Sequence, residues 1–251
     1  MKENIRGFIE TYVQAYSQRV EINTTYRTPV IAYAAANDPL FQKLQNHRQP
    51  EDLLAGAKTV IAYFIPFDEK IVMSNRKKGK SSLGWVHAYI ETNLLIESLG
   101  KALRNELGKD KVSSFAPPPT HNYDPKTLTS EWSHKHVAYI SGLGTFGVHQ
   151  MLITAAGAGG RIGSTIIDRE LDPTPRPAHE LCLYKRDGSC LECVAMCTFG
   201  ALKKDSFDRY LCRDICGTNA ERFKKVGPAT VCGKCVSAVK CSCYPNDSQN
   251  R

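Results

Sequence analysis

The sequence predicts two parts: an α/β domain whose central sheet is covered by helices, and a small α+β domain built around metal-ligating cysteines. Two observations support this division. All ten cysteines of the 251-residue chain lie between Cys182 and Cys243. Three prolines within 173–177 form a stiff, extended connector. We therefore expect the α/β domain to cover 1–177 and the cysteine-rich domain to cover 178–251.

The first half of the α/β domain is predicted to hold two buried strands. A helix precedes them, because charged and apolar residues alternate at helical spacing over 3–20. The apolar runs 30–34 and 59–65 have the length of buried strands, and Pro66 stops the second run. Between the two strands, an Asn-Asp-Pro sequence can cap a helix over 37–46.

The second half continues the alternation of helices and strands. A long amphipathic pattern predicts a helix from Leu83 to about Leu107, which Gly108 ends. Such alternation is typical of a sheet covered by helices. The remaining predicted elements are a strand at 112–116, a helix at 130–141, and strands at 151–155 and 162–167.

The composition is that of an ordinary globular protein. No run of about 18 apolar residues occurs, so no membrane span is expected. The N-terminus lacks the unbroken apolar core of a signal peptide, which makes the cytoplasm the expected compartment.

The net charge of +8 suits an acidic redox partner or an anionic cofactor. No interleaving of aromatic and basic residues indicates a nucleic-acid groove.

The first group of cysteines follows the spacing of a bacterial ferredoxin. Cys190, Cys193 and Cys197 match the end of the pattern C-x2-C-x2-C-x3-C, whose fourth cysteine binds the other [4Fe–4S] cluster. Asp187 stands where the first cysteine of that pattern would be. Cys182, eight residues before Cys190, can supply the missing thiolate through a longer loop.

The second group includes Cys232-Gly-Lys-Cys235, whose spacing lets two thiolates reach one cluster. Two cubane clusters need eight thiolates, and ten are present. We predict a crossed arrangement that leaves Cys216 and Cys243 spare, with Cys243 able to exchange with Cys241. The predicted ligands are Cys182, Cys190, Cys193 and Cys241 for the first cluster, and Cys197, Cys212, Cys232 and Cys235 for the second.

Two other chemistries remain open for these cysteines. Two four-cysteine zinc sites would use the same ligand type at similar spacing. Disulfides are less expected in a reducing compartment. The position of Cys197, and the Phe-Gly-Ala-Leu that comes soon after it, favour iron–sulfur clusters.

The segment Gly142-Leu143-Gly144-Thr145-Phe146-Gly147 matches G-x-G-x-x-G. A dinucleotide-binding fingerprint follows a strand and opens a helix, whereas this segment follows a predicted helix and precedes the strand 151–155. A Rossmann site is therefore rejected. The segment is either a turn that ends the helix or a place where glycines let the backbone approach a large flat ligand.

Polar aromatic residues upstream of this glycine turn are candidates for a pocket wall. On a helix, His136 would share one face with Trp132 and Tyr139. Ordinary packing or surface placement is the alternative for each candidate. The further candidates are Trp85, His87, Tyr89, His121, Tyr123 and Asp124.

The segment 131–147, followed by Leu152-Ile-Thr154, Arg161-Ile-Gly-Ser164 and the cysteine order, resembles the epoxyqueuosine reductase-like iron–sulfur proteins. These proteins are similar in turn to the cobalamin-dependent reductive dehalogenases. The resemblance covers roughly residues 25–245. It implies a nitroreductase-like α/β domain that holds a cobalamin, fused to a ferredoxin-like domain with two [4Fe–4S] clusters.

The resemblance also implies roles for individual residues. Electrons would pass through both clusters to cobalt, and the backbone of 142–147 would lie against the corrin. Asp124 is nearest in kind to the family's proton donor. His134 occupies part of the place of a glutamate–arginine pair, and His136 and Tyr139 complete the predicted catalytic set.

The expected function is therefore that of an iron–sulfur reductase acting on an unidentified small molecule, with an electron donor such as a ferredoxin or a flavodoxin. The chain stops soon after its last cysteine, whereas the tRNA-modifying enzyme continues into a helical-repeat domain. For that reason tRNA is not the expected substrate. The alternatives are a non-catalytic electron carrier without cobalamin and a zinc-stabilised interaction module.

Overall fold

The computed structural model describes residues 1–119 and 123–243. Its strands are β1 (Val30–Ala35), β2 (Thr59–Pro66), β3 (Ser114–Phe115), β4 (Gly144–Phe146), β5 (Leu152–Thr154) and β6 (Gly160–Ile167). Its helices are α1 (Lys2–Arg19), α2 (Pro39–Gln42), α3 (Pro50–Leu53), α4 (Glu69–Ser74), α5 (Leu83–Lys109), α6 (His134–Ile140), α7 (Leu183–Asp187), α8 (Glu192–Met196) and α9 (Arg209–Arg222), followed by a 3-10 turn at Lys234–Val236.

Four strands form the central sheet in the order β1-β2-β6-β3, and every neighbouring pair is antiparallel. β4 and β5 pair as a separate hairpin. The alternation of predicted elements did not specify the strand direction. The fold is therefore a mixed α/β fold with an antiparallel sheet.

The side chains of each strand alternate between the two faces of the sheet, and helices bury both faces. Ile61 and Tyr63 pack with α1 and α5 on one face. Val60 and Ala62 pack with α6 on the other face. The first part of the chain is thus three-layered, as the sequence predicted for a sheet covered by helices.

The ends of several predicted elements differ from those of the structure. The helix predicted at 37–46 is the short α2, which begins after Asp38, whose side chain accepts the Leu40 N–H. The helix predicted at 130–141 begins only at His134. The sequence leaves two interpretations for the glycine segment, a turn that ends the helix or a close backbone approach. Gly142, with a φ of 84°, forms the turn after α6, whereas Gly144–Phe146 is the strand β4.

The cysteine-rich part contains three helices and the 3-10 turn. Among its described residues, strand-like pairing is limited to the isolated bridge between Leu202 and Phe207, so a ferredoxin-like α+β arrangement is not confirmed. Cys182 and Cys193 share one buried cluster with Trp85 of the α/β part. The domain boundary at residue 177 stays a prediction.

The proline-containing connector lies along β1, which is an edge strand of the sheet. The Thr174 N–H donates to the Tyr33 carbonyl at 2.8 Å, and the Tyr33 N–H donates to the Thr174 hydroxyl at 3.0 Å. The connector therefore satisfies backbone groups that an open edge would leave exposed.

The C-terminal cysteines are attached to the loop 157–159, which we call the docking loop. The Ala158 N–H donates to the Cys241 carbonyl at 2.8 Å, and the Gly159 N–H donates to the Ser242 carbonyl at 2.7 Å. A Cβ on Gly157 would lie 2.6 Å from Cys243 backbone. Only glycine leaves room for this contact between two backbones.

In the described part of the chain, no helix combines the length and apolar character that a membrane crossing requires.

We predict that Gly144→Ala destabilises the fold. A Cβ at this position would overlap the Ile153 carbonyl oxygen of the paired strand β5. Overpacking of this kind costs about 1–3 kcal/mol, and a backbone neighbour cannot move aside as a side chain can. Chemical denaturation measures the loss. The control is Gly7→Ala in α1, where nothing lies within 4 Å, and which we expect to be neutral or stabilising. Equal stability of the two variants would contradict the prediction.

Candidate metal centres and the adjoining cleft

The first group of neighbouring thiols consists of Cys182, Cys190, Cys193 and Cys241. Burial and the charges of Cys182 and Cys190 raise the pKa of Cys193 to about 11. Burial and the charges of Cys193, Cys182 and Cys190 raise the pKa of Cys241 to about 12. The neighbouring thiols thus oppose the ionisation of Cys193 and Cys241, and positive charge would stabilise the thiolates at such a site.

The second group of neighbouring thiols consists of Cys197, Cys212, Cys232 and Cys235. Burial raises the pKa of Cys235, and the charges of Cys212 and Cys232 raise it further. Burial also raises the pKa of Cys232, where the charges of Cys212 and Cys197 act in the same direction. These four cysteines come from distant segments, and α8 packs against the 3-10 turn that carries Cys235.

The turn between Cys232 and Cys235 is fixed by the α/β part. Gly233 has a left-handed φ of 71°, and a Cβ there would overlap the Trp85 indole. Lys234 is buried, and its Nζ donates to the Asn75 carbonyl at 2.9 Å and to the Asn75 Oδ1 at 2.8 Å. This turn needs glycine because both its conformation and its space exclude a side chain.

The two remaining cysteines differ in their surroundings. The charged groups close enough to influence the pKa of Cys243 are those of Arg27, Glu69 and Asp68. Cys216 lies one helical turn after Cys212 on α9, and the two thiols are hydrogen-bonded. This hydrogen bond, burial and the charges of Cys212, Cys232 and Cys235 raise the pKa of Cys216, so it also neighbours the second group. That hydrogen bond lowers the pKa of Cys212 to about 7, against the effect of burial.

Within 1–119 and 123–243, no set of three or more His, Cys, Asp or Glu is arranged to hold a single metal ion.

Two hydrogen-bond donors point toward sulfur atoms of the cysteine groups. The Leu202 N–H donates to the Cys197 Sγ at 3.3 Å. His149 Nε2 is 3.5 Å from the Cys241 Sγ, while His149 Nδ1 accepts the Met151 N–H. His149 is therefore neutral with its proton on Nε2, and burial lowers its pKa to about 4. His149 was not among the predicted site residues, although it lies two residues after the glycine turn.

A cleft of about 680 Å³ lies beside the second cysteine group. Its wall includes Cys212 and Cys216 of α9, His134 to His136 of α6, and Arg161 of β6. The volume is within the range of sites for small molecules and cofactors. An adjoining depression of about 810 Å³ is lined by residues that include Asp124 and Glu131.

His134, predicted to be catalytic, occupies a structural position. Its Nε2 donates to the Pro118 carbonyl at 2.9 Å, and its Nδ1 accepts from the Ser164 hydroxyl at 2.9 Å. The Ser164 oxygen in turn accepts the Trp132 indole N–H at 3.0 Å. Both ring nitrogens are hydrogen-bonded, and burial lowers the pKa of His134 to about 4. The ring therefore connects α6 to the sheet.

His136 and Tyr139 have different positions although α6 carries both. His136 lines the cleft, where its Nδ1 lies 2.7 Å from the Ser133 hydroxyl. Burial, with smaller contributions from Lys135 and His47, lowers the pKa of His136 to about 4. Tyr139 is exposed and packs against Phe146, and it does not line the cleft.

The remaining predicted pocket residues are dispersed. Asp124 lines the adjoining depression, and its Oδ1 accepts the N–H of Lys126, so it forms a local turn. Tyr123 borders the cleft. His87 pairs with Glu91 at 3.4 Å on α5. Trp85 packs under Gly233, Tyr89 lies beneath Arg161, and His121 lies outside the described residues.

The glycine turn 142–147 is packed against protein and does not line the cleft. A Cβ on Gly142 would lie 2.9 Å from the Pro175 carbonyl oxygen, and a Cβ on Gly147 would lie 2.6 Å from the His149 ring. These contacts with other segments of the chain explain the glycines. The predicted contact of Gly142, Leu143, Gly144, Thr145, Phe146 and Gly147 with a corrin stays a prediction that these surroundings do not support.

Solved structures define the class of this fold, which is epoxyqueuosine reductase-like. The reductase from Bacillus subtilis matches 97% of this chain and 66% of its own, with a TM-score of 0.57 and 16% identity. The reductase from Streptococcus thermophilus matches 90% of this chain and 64% of its own, with a TM-score of 0.53 and 16% identity. An epoxyqueuosine reductase crystallised with an epoxyqueuosine-modified tRNA-Tyr stem loop matches 92% and 64%, with a TM-score of 0.55 and 17% identity.

This chain spans about two thirds of the length of those structures, with 64–66% of each covered. No protein-family model matches the sequence, and no curated protein matches it. At 16–17% identity the likeness establishes an epoxyqueuosine reductase-like fold, whereas the nitroreductase-like arrangement implied for the α/β part stays a prediction. What the protein does must be argued from the site.

We predict that His134 makes the stability of the protein depend on pH below neutrality. The unfolded chain takes up a proton near the ordinary pKa of about 6.5, whereas burial lowers the folded pKa to about 4. Between these values the unfolded state binds more protons, so the free energy of unfolding falls as the pH falls from about 6.5.

Urea unfolding at about pH 7 and about pH 5.5 measures this dependence. His134→Gln should flatten it by up to about 1.4 kcal/mol per pH unit, because one titrating group is removed. His179→Gln, in the exposed connector region, is the control and should leave the slope unchanged. Parallel slopes in the wild type and the His134 variant would contradict the prediction.

Proposed function

We propose that the protein is an iron–sulfur reductase that passes single electrons through two [4Fe–4S] clusters to a ligand in the cleft. One observation carries this proposal: Cys212 belongs to the second thiol group and also forms part of the cleft wall. A ligand in the cleft would therefore lie next to one cluster. A carrier that only docks partners would not need such an opening beside its cluster.

Two clusters suit the donor sets that the fold brings together. Each of the two groups contains four thiols that are close enough for their charges to interact, as the eight ligands of two cubanes require, and Cys216 is a fifth thiol beside the second group. Trp85 Nε1 is buried beside the second group without a hydrogen-bond partner among the described residues. A cluster sulfur there would provide an acceptor. When bound, each cluster supplies one-electron chemistry.

The positions of the groups suggest a direction for electrons. None of Cys182, Cys190, Cys193 and Cys241 lines the cleft, whereas Cys212 does. We propose that the first group receives electrons from a donor such as a ferredoxin or a flavodoxin, and that the second group delivers them. His136, whose Nδ1 contacts the Ser133 hydroxyl, is the titratable ring we propose to orient a ligand at its Nε2.

Protein atoms fill the space beside the Cβ positions of Gly142, Gly144 and Gly147, so these glycines do not support the corrinoid that the sequence led us to expect. We therefore assign no step to it. The cleft is the place beside the second group where a corrinoid or a substrate would have to bind.

The first test is metal analysis of protein purified without oxygen and then offered cobalamin. We expect about eight irons per chain, because each of two clusters contains four. Retained cobalt would assign the cleft to a corrinoid, and iron without cobalt would assign it to a substrate. Zinc without iron would overturn the proposal in favour of a zinc-stabilised module.

We predict that Cys193→Ala removes one cluster and lowers the iron content from about eight to about four per chain. The same variant should be less stable, because thiolate ligation contributes to folding. The matched control is Cys243→Ala, which removes a buried cysteine whose charged neighbours are not thiols. Full iron in the Cys193 variant, or loss of iron in the Cys243 variant, would show that the ligand assignment is wrong.

We predict that His149→Leu lowers the reduction potential of one cluster by tens of millivolts. The His149 Nε2–H lies 3.5 Å from the Cys241 Sγ, and a hydrogen bond to a ligand sulfur stabilises the more negative, reduced cluster. Potentiometric titration followed by electron paramagnetic resonance measures the shift. His149→Gln retains a donor and should restore part of the potential. An unchanged potential in the leucine variant, with full iron content, would refute this role.

A further inference from the structure

The wall of the cleft is strongly cationic. Its described lining residues include no Asp or Glu. Arg213 is paired with Asp214 at 3.9 Å, whereas the other three cations have no carboxylate partner in the described ranges. The cationic residues of the wall are Lys135, Arg161, Arg209 and Arg213.

Arg161 is the most distinctive of these cations. Its guanidinium lies over the Tyr89 ring, with 4.4 Å between Cζ and the ring centroid. Its Nε is buried without a hydrogen-bond partner, and no described residue forms an ion pair with the side chain. A buried charge without an ion-pair partner is costly in free energy unless another group compensates it. Stacking leaves the edge of the guanidinium, with its N–H groups, for an acceptor.

Lys135 and Arg209 lie at the same cleft and use only part of their donor capacity. Lys135 Nζ donates to the Gln150 carbonyl at 3.0 Å, and Arg209 Nη1 donates to the Thr127 carbonyl at 3.2 Å. An ammonium has three N–H donors and a guanidinium has five. Burial and the charge of the nearby Arg209 lower the pKa of Lys135, whereas Cys212 acts in the opposite direction. A bound anion would relieve this repulsion.

Apolar side chains complete the wall of the cleft. They favour a ligand that carries a hydrocarbon or aromatic body in addition to its charge, because burying apolar surface contributes to binding. The large apolar residues that line the cleft are Leu44, Phe64, Met151, Leu152, Ile162 and Phe207.

We propose that the cleft binds a small organic anion, a carboxylate or a phosphate on an apolar body, with its anionic group against the cationic wall to which Arg161, Lys135 and Arg209 belong. Bidentate N–H donation from arginine suits both kinds of oxyanion. That this anion is the substrate rests on the proposed reductase function. Its binding does not, because the cationic side chains belong to the protein whether or not it holds iron.

Calorimetric titration of the full chain, purified without oxygen, tests the proposal with benzoate, phenyl phosphate and neutral benzamide. Benzamide has the shape of benzoate without its charge. We expect at least one anion to bind about tenfold or more tightly than benzamide, and the stronger of the two anions distinguishes carboxylate from phosphate.

Arg161→Gln and Arg209→Gln should each weaken binding of that anion about tenfold while benzamide binding stays the same. Arg209 is exposed, so its variant keeps the test valid if Arg161→Gln fails to fold. The control Arg104→Gln changes an exposed cation on α5, away from the cleft, and should have no effect.

Equal binding of benzoate, phenyl phosphate and benzamide, or no binding of any of them, would overturn the proposal. An equal loss in Arg104→Gln would also overturn it, because the effect would then be one of net charge. Binding of a short oligonucleotide without either small anion would assign the cations to nucleic-acid phosphate instead. Iron content is measured on the same samples. Anion binding without iron would overturn the reductase and leave the anion site standing.

Discussion

The close contact of two backbones at the docking loop is the constraint on which the arrangement of the cysteines depends. Residues 157–159 connect β5 to β6, so their position is set by the sheet. They hold the segment that carries Cys241 through hydrogen bonds of 2.7–3.1 Å. Cys241 in turn is the member of the first thiol group that comes from the far end of the described chain. Without glycine at 157 and 159 this contact could not form, because a Cβ at either position would meet Ser242 or its neighbour.

The α/β part contributes to the second group in the same way. Trp85 and Asn75 fix the turn at Gly233 and Lys234 through packing and hydrogen bonds. The short helices α7 and α8 are too brief to be stable alone. The helical conformation of α7 and α8 therefore depends on tertiary packing in a core that both parts of the chain share. Thiolate geometry in this protein is a property of the whole fold.

Local patterns were sufficient to predict β1, β2, β6 and α5, because buried strands and a long amphipathic helix have a characteristic period. The assignment of the cysteines to two clusters stays a prediction from their spacing. The direction of the strands was not predictable, since periodicity does not encode pairing. The role of His149 was not predictable either, because its partner Cys241 is distant in sequence and no spacing rule connects them.

The predicted catalytic residues show the same limit. His134 and His136 are two residues apart, and a helix pattern places both near the same turn. Only the structure shows that the His134 ring is hydrogen-bonded to the Pro118 carbonyl and the Ser164 hydroxyl, whereas His136 lines the cleft. The cationic wall was also not visible in the sequence, because Lys135, Arg161 and Arg209 come from three separate elements. A basic net charge does not reveal where the charges meet.

The place of β6 in the sheet has a consequence for the order of folding during synthesis. β6 is the last strand of the sheet in the chain, yet it separates β2 from β3. As the chain leaves the ribosome, β1 and β2 can pair first, and β2 then presents an unfilled edge until residue 167 has emerged. Pairing between segments so far apart in the chain is slow. A nascent chain of this protein therefore carries an open, apolar strand edge while residues 67–167 are added. During this interval it most needs protection from association with other chains.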